Sequence, residues 1–391
     1  MSEERPVLLV FGDDWGRHPS SCQHLVMQLL NRYRVLWVNT IGMRRPRWDY
    51  ETLVRGLEKV KEWFVQSEHR HCHSAPTAYH PNLIVLNPRM WPSFGSSWER
   101  RINQTFLQAQ IVPFLSRYSQ PVIAITTIPV VADLVGCLPV THWVYYCVDD
   151  FSEWPGLDGT TIRDMEHELV SKVNTLIAVS DSLQDKLRRD VKDRDIHLLT
   201  HGVDLGHWQA GLVQNGDESD WAHLERPLIV FWGLIDRRLD VEYLRSLSRD
   251  MSRGTILLVG PRVAASSELE TVPRISYHPP VAFHELPAIG QAADCLIMPY
   301  ADLPVTRAMQ PLKLKEYMAT GKPVVVSNLP STSLWSECVD VVGSPDEFSW
   351  AVRNRLSIGL SCSQKRARER LLDESWLSKS RILEQCFLAR R

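Results

Sequence analysis

The stretch Pro311-Leu-Lys-Leu-Lys-Glu-Tyr-Met-Ala-Thr-Gly-Lys-Pro-Val-Val-Val-Ser327 decides the fold. Proline is tolerated in the first turn of a helix, where its missing N–H has no intrahelical partner, so Pro311 reads as a helix opening. Gly321 reads as its C-terminal cap, and the β-branched run Val324 to Val326 as a buried strand whose start Pro323 sets. A helix turning directly into a buried strand is half of a βαβ unit, which predicts a parallel sheet flanked by helices. The helix start has a chemistry of its own. Orphan backbone N–H groups, Lys313 in the first turn and one carboxylate at Glu316 could hold a diphosphate and a ribose hydroxyl together. An ordinary surface helix with solvated charges is the competing reading of this segment alone.

Outward from that stretch the same alternation recurs. Towards the C-terminal side of the chain's middle, strands are predicted at Leu228 to Trp232, Thr255 to Val259, Arg274 to Tyr277, Cys295 to Pro299 and Val324 to Ser327. Helices are predicted at Val241 to Arg249, Phe283 to Ala292, Pro311 to Thr320 and Pro345 to Leu356. The first half repeats the pattern, with strands at Val7 to Phe11, Arg34 to Val38, Leu83 to Leu86, Val122 to Ile125, His142 to Cys147 and Thr175 to Val179, and a helix at Ser21 to Asn31. Two open α/β domains follow: 1–208 and 223–361, joined by a polar, turn-rich linker at 209–222. Residues 362–391 read as a basic amphipathic helix pair crossing back to the first domain. Open parallel sheets bind ligands beyond the carboxyl ends of their strands, so a ligand in a cleft between the domains is expected.

Composition narrows the function. With 391 residues, 44% hydrophobic and 23% charged, the chain is globular, and 44 Lys+Arg against 46 Asp+Glu give a net charge of -2. That balance lacks the basic field of a non-specific nucleic-acid binder, so no nucleic-acid partner is expected and any anion site must be local. No stretch approaches eighteen apolar residues, and eight cysteines show no C-x-x-C pair or zinc spacing. A cytoplasmic protein is expected.

The Pro311 to Ser327 segment resembles the donor-site helix of GT-B glycosyltransferases, in particular family 4 type enzymes (glycosyl transferases group 1) and the subgroup making teichuronic acid and exopolysaccharides. Further landmarks agree in order: Asp14-Trp15-Gly16-Arg17-His18-Pro19-Ser20-Ser21, Val148-Asp149-Asp150, Ile177 to Ser180, His201 to Asp204, Gly233 with Asp236 to Asp240, Val259-Gly260 and Ala293-Asp294. The resemblance implies two Rossmann-like domains with parallel sheets facing across a cleft, the C-terminal one holding the nucleotide sugar and the N-terminal one the acceptor. It implies that Glu316 binds the donor ribose, Lys313 the phosphates, and Gly233 and Gly260 the close approach of backbone to donor. Of the adjacent arginines, Arg238 rather than Arg237 is expected at the diphosphate. The chain departs from the family at Ala308, where a second Glu usually stands, and at Gly233-Leu234-Ile235 in place of Gly-Arg-Leu.

On the acceptor side, Asp149 and Asp150 follow a strand, so they are expected at its carboxyl end, where a carboxylate can orient a hydroxyl or accept its proton. Capping of the next turn by one of them is the competing account. Gly16 and Arg17 are acceptor-binding candidates, with a structural turn as the alternative. His69, His71, Cys72 and His73 alternate without the outer-sphere partners of a metal site, so no metal is expected. Arg44, Arg45, Arg47, Trp48, Arg55, Lys59 and Trp63 suit peripheral contact with an anionic membrane at its inner face, or a solvated helix. The expected activity is a metal-independent glycosyltransferase of hexosyltransferase type. By that resemblance it moves a sugar from a UDP- or GDP-sugar co-substrate, with no other cofactor, to a hydroxyl of a glycan or lipid-linked acceptor in cell-surface polysaccharide biosynthesis, and the resemblance alone implies retention. Two rivals stand beside it: a nucleotide-sugar epimerase, which needs acid and base residues around the donor sugar, and a non-catalytic GT-B subunit, for which Ala308 speaks and the Lys313, Glu316 and Gly321 set does not.

Overall fold

Short apolar runs of three to six residues joined by connections too long for hairpins favour parallel pairing. In this computed structural model, which describes residues 5–16, 20–39, 80–154, 156–210, 221 and 223–389, the first sheet contains β1 (Val7–Phe11), β2 (Val35–Val38), β3 (Leu83–Leu86), β4 (Val122–Thr126), β5 (His142–Cys147), β6 (Thr175–Ala178) and β7 (Ile196–Leu198). Its order is β3-β2-β1-β4-β5-β6-β7. The second contains β8 (Leu228–Trp232), β9 (Thr255–Val259), β10 (Ile275–His278), β11 (Cys295–Met298), β12 (Val324–Ser327) and β13 (Asp340–Val342), in the order β10-β9-β8-β11-β12-β13. All pairs within both sheets are parallel. Both are doubly wound α/β sheets whose central strands are buried on both faces, as β1, β4, β8 and β9 are throughout.

Two compact units result, one of residues 1–178, 184–198 and 383–391 and the other of 179–183 and 199–382. The core of the second runs from Leu228 and Phe231 through Leu257, Leu296 and Val325 to Phe348.

Several predicted boundaries move. Pro311 is the N-cap rather than the first helical residue, and the helix is Leu312–Ala319, followed by Gly321 at φ 77°. The predicted helix from Phe283 splits into a 3-10 turn, Phe283–Glu285, and Leu286–Ala292. The predicted C-terminal helix pair becomes helix Cys362–Ala367, a 3-10 stretch Arg368–Glu374 and helix Trp376–Leu388. The reason is tertiary: Val203 donates its N–H to Glu374 O at 2.8 Å and bridges to Ser375, which pulls the chain extended there. The short edge strands β7 and β13 carry too little apolar signal to predict. The basic and aromatic segment from Arg44 to Trp63, the His69 to His73 cluster and Arg17 lie outside the described residues.

Candidate functional site

The order β10-β9-β8-β11-β12-β13 reverses direction between β8 and β11, and at that switch point the loops leaving the carboxyl ends of neighbouring strands diverge and leave a crevice. The loop after β8 is pinned on both sides. Ile235 N–H donates to Pro261 O at 2.9 Å and Val263 N–H to Ile235 O at 3.0 Å, while Asp240 N–H donates to Pro299 O at 2.9 Å and Ala301 N–H to Arg238 O at 2.8 Å. The carboxyl ends of β8, β9 and β11 are thereby fixed to one another.

Two glycines make this possible. Gly233 and Gly260, directly after β8 and β9, have φ of 133° and 142°, where L side chains are strained. A Cβ on Gly260 would strike the carbonyl of Gly233, and one on Gly233 would strike the ammonium of Lys313. Backbone and lysine thus meet where the helix Leu312–Ala319 begins. That helix has no side-chain cap, so its first-turn N–H groups favour an anion there. Lys313 Nζ donates to Tyr300 Oη at 2.7 Å and lies 4.3 Å from the centre of the Phe231 ring, which fixes the ammonium beside Gly233.

Glu316, one turn on, is 7% exposed, and Trp232 Nε1–H donates to its Oε2 at 3.4 Å. Burial pushes its carboxyl up to about 7, against the opposing pull of Trp232 and Lys313. Beside it an aromatic stack builds the wall: Trp232 packs on Trp208 with planes 6° apart, and its edge meets Tyr317, whose hydroxyl accepts the Trp232 backbone N–H at 3.0 Å. Sequence reasoning missed Trp208 and Trp232, because two residues 24 positions apart carry no shared periodicity.

The adjacent arginines separate. Arg237 is exposed, whereas Arg238 is buried and its Nε–H reaches both carboxylate oxygens of Asp236 at 3.0 Å. Ala308 ends the short helix Pro304–Ala308, and its carbonyl accepts the Ser180 hydroxyl at 2.9 Å.

In the first unit, Gly16 has φ 78° and its N–H donates to Gln23 Oε1 at 3.0 Å. Asp13 organises this turn, accepting from Ser20 Oγ at 2.6 Å and Gln23 Nε2 at 2.7 Å. Asp149 and Asp150 follow β5. Asp149 Oδ1 accepts the Asp150 N–H at 2.9 Å. Asp150 caps the 3-10 turn Phe151–Glu153 and accepts from Ser152 N–H and, at 2.8 Å, from Lys186 Nζ. Lys186 also meets Glu166 at 2.5 Å, and Glu166 accepts the Tyr145 hydroxyl at 2.6 Å. Burial works against the Asp150 carboxylate, but Lys186 and Ser152 outweigh it and hold its pKa below the usual range. Lys186 and Glu166 were invisible in the sequence, since the three charges come from separate elements. No group of three or more His, Cys, Asp or Glu side chains that could hold a metal exists among the described residues. Among them, too, no helix is long and apolar enough to cross a membrane.

The chain is similar to several known proteins. The family model described as "Glycosyl transferases group 1" matches residues 226–357. TuaH of Bacillus subtilis (strain 168), which carries a provisional assignment as a teichuronic acid biosynthesis glycosyltransferase, is 30% identical over 178 residues, 44% of this chain and 45% of the relative, so the match spans less than half of either. The whole chain is similar in structure to the sucrose-phosphate synthase of Thermosynechococcus elongatus (TM-score 0.68, 16% identity, 99% of this chain and 100% of the other). It is likewise similar to HepE of Anabaena, solved in complex with UDP-glucose (TM-score 0.66, 12% identity, 99% and 100%). Residues 226–357 are similar to the group 1 glycosyltransferases, and the fold of the chain is GT-B.

Proposed function

We propose that the protein transfers a sugar from a nucleotide-diphosphate sugar to a hydroxyl of a glycan or lipid-linked acceptor in cell-surface polysaccharide biosynthesis. The observation that carries this reading is the convergence of Gly233, Gly260, Lys313 and Glu316 at the switch point of the second sheet. Glycine backbone admits a diphosphate, Lys313 and the uncapped helix start neutralise it, and the Glu316 carboxylate accepts from the ribose hydroxyls. Arg238, oriented through its Nε edge by Asp236, is the second cation. As the bond to the anomeric carbon breaks, the departing nucleoside diphosphate gains negative charge, and these fixed donors stabilise it without a metal.

Asp149 is the group we assign to the acceptor hydroxyl or the transferred sugar. Asp150, held by Lys186 and capping its turn, keeps Asp149 in place. Retention of configuration belongs to this reading through the family likeness, as do a UDP- or GDP-sugar donor and peripheral contact with a membrane carrying the lipid-linked acceptor. HepE and its complex with UDP-glucose support the donor class, and TuaH supports the pathway. The test is a thermal-shift panel of UDP, GDP, ADP and dTDP, in which one nucleotide raises the transition through mass action on the folded state. No shift by any of the four at millimolar concentration would refute the donor site.

A further inference from the structure

A second feature of the first unit is unused by the chemistry above. A polar cavity of about 320 Å³ opens where the helices Ser97–Leu115 and Gly159–Lys172 begin, against the 3-10 turn Pro129–Leu134. These elements follow β3, β5 and β4, so the cavity lies at the carboxyl end of the sheet, the end that also carries Asp149.

Next to it, Trp91 and Trp98 stand 41% and 55% exposed, their ring centres 5.7 Å apart and their planes at 58°. Two large apolar rings in water stabilise no core, yet Trp91 and the loop that carries it are held in place. Asn103, 1% exposed, accepts the Trp91 N–H at 2.7 Å and donates to Ser93 O at 2.9 Å, while Gln110 grips Arg89 N–H and Arg89 O at 2.8 and 2.7 Å. Trp91 Nε1–H donates to Glu99 at 3.1 Å, and Glu99 in turn accepts from Ser96 N–H and Oγ at 2.9 Å. The ordering cost of this loop is met within the protein before any ligand arrives.

Trp98 and Arg101 are three residues apart on one helix and share a face. Arg101 lines the cavity with Gln104, Thr161 and Asp164. Arg100, also in the lining, is committed to Asp133 and Glu168 through four hydrogen bonds of 2.6 to 2.8 Å. Gln104 Nε2 donates to Asp133 O at 2.9 Å and Thr161 Oγ1 to Asp158 at 2.9 Å, so what remains is the charge-balanced pair Arg101 and Asp164 with the acceptor oxygens of Gln104 and Thr161, beside the aromatic platform. An anion site would show surplus cations, and a membrane anchor would not need a polar cavity behind its tryptophans.

We propose that this surface binds a neutral oligosaccharide, a pyranose C–H face lying on the Trp91–Trp98 platform and its hydroxyls reaching Arg101, Gln104 and Asp164. It deepens the assignment of the first unit to the acceptor, and on that reading it holds a growing glycan away from the reacting end.

The test uses the full chain and measures binding, not turnover. Maltohexaose and cellohexaose are titrated by calorimetry and saturation-transfer NMR, with phosphatidylglycerol vesicles in a parallel sedimentation assay. At least one hexasaccharide should bind, and Trp98→Ala and Trp91→Ala should each weaken it about fivefold or more, the loss expected for one stacked ring. The calorimetric melting profile of each variant, unchanged from the parent in both units, shows that they fold; in the unaltered protein, absence of a thermal shift with every one of UDP, GDP, ADP and dTDP would count against the donor reading alone. The proposal is overturned if neither hexasaccharide binds, if both variants bind like the parent, or if the tryptophans are needed for vesicles and not for sugar.

Discussion

Glu316→Gln separates burial from function, because the two should move in opposite directions. The residue is 7% exposed, and burial raises its carboxyl from 4.5 to about 7. The folded state therefore retains a proton between those values that the unfolded chain has released, so the stability contributed by this group falls as pH rises through that window and is level above it. At about 1.4 kcal/mol per unit, keeping the carboxylate charged above pH 7 costs the fold about 3 kcal/mol. Glutamine keeps the shape and the acceptor for Trp232 Nε1–H without the charge. The variant should be more stable by about 3 kcal/mol at pH 8 and by under about 1 kcal/mol at pH 5, a rise of about 6 to 10 °C in the transition of the second unit at the higher pH. Nucleotide-sugar affinity should fall by about 1.5 to 3 kcal/mol, since ribose hydroxyls lose a charged acceptor. Differential scanning calorimetry at pH 5 and 8, with isothermal titration of UDP-glucose and GDP-mannose, reads both. A variant with no pH-dependent gain would show that the carboxylate is not held in its buried place. A gain with unaltered affinity for whichever nucleotide sugar binds would remove Glu316 from the ribose.

The same shift predicts that nucleotide-sugar affinity of the unaltered protein improves between pH 6 and 8, as Glu316 ionises; a flat profile by titration calorimetry contradicts the assignment. Gly233→Ala places a Cβ against Lys313 at φ 133° and should cost about 1 to 3 kcal/mol in stability while abolishing the nucleotide thermal shift. Arg238→Ala should lose nucleoside-diphosphate affinity and exposed Arg237→Ala should not; the reverse result in the same titration would show the order to be wrong. Asp149→Asn should depress sugar transfer and leave thermal stability intact, whereas Asp150→Asn should lower stability by about 1 to 3 kcal/mol through Lys186; a fully active, stable Asp149→Asn would make that carboxylate a turn cap only.

Much of this protein is local and therefore legible in the chain. Pro311, Gly321 and the valines after Pro323 announce a helix and a buried strand because backbone sterics and β-branching act over a few residues. The strands β1, β3, β5, β8, β9 and β12 coincide with the apolar runs for the same reason. The residues proposed for a diphosphate and a ribose, Gly233, Lys313 and Glu316, can also be named from the sequence and its family resemblance. Tertiary structure alone decided the rest. It set the raised carboxyl of Glu316, since burial in the folded chain outweighs the hydrogen bond from Trp232, 84 positions away. It put Arg238 inside and Arg237 outside, since the loop after β8 is pinned by β9 and β11. It joined Asp150 to Lys186 and Glu166, and Trp91 to Asn103, through contacts between elements whose spacing carries no periodic signal. Local geometry is written in neighbouring residues. Desolvation and charge pairing depend on which distant segments come to lie beside them, and only the folded chain contains that.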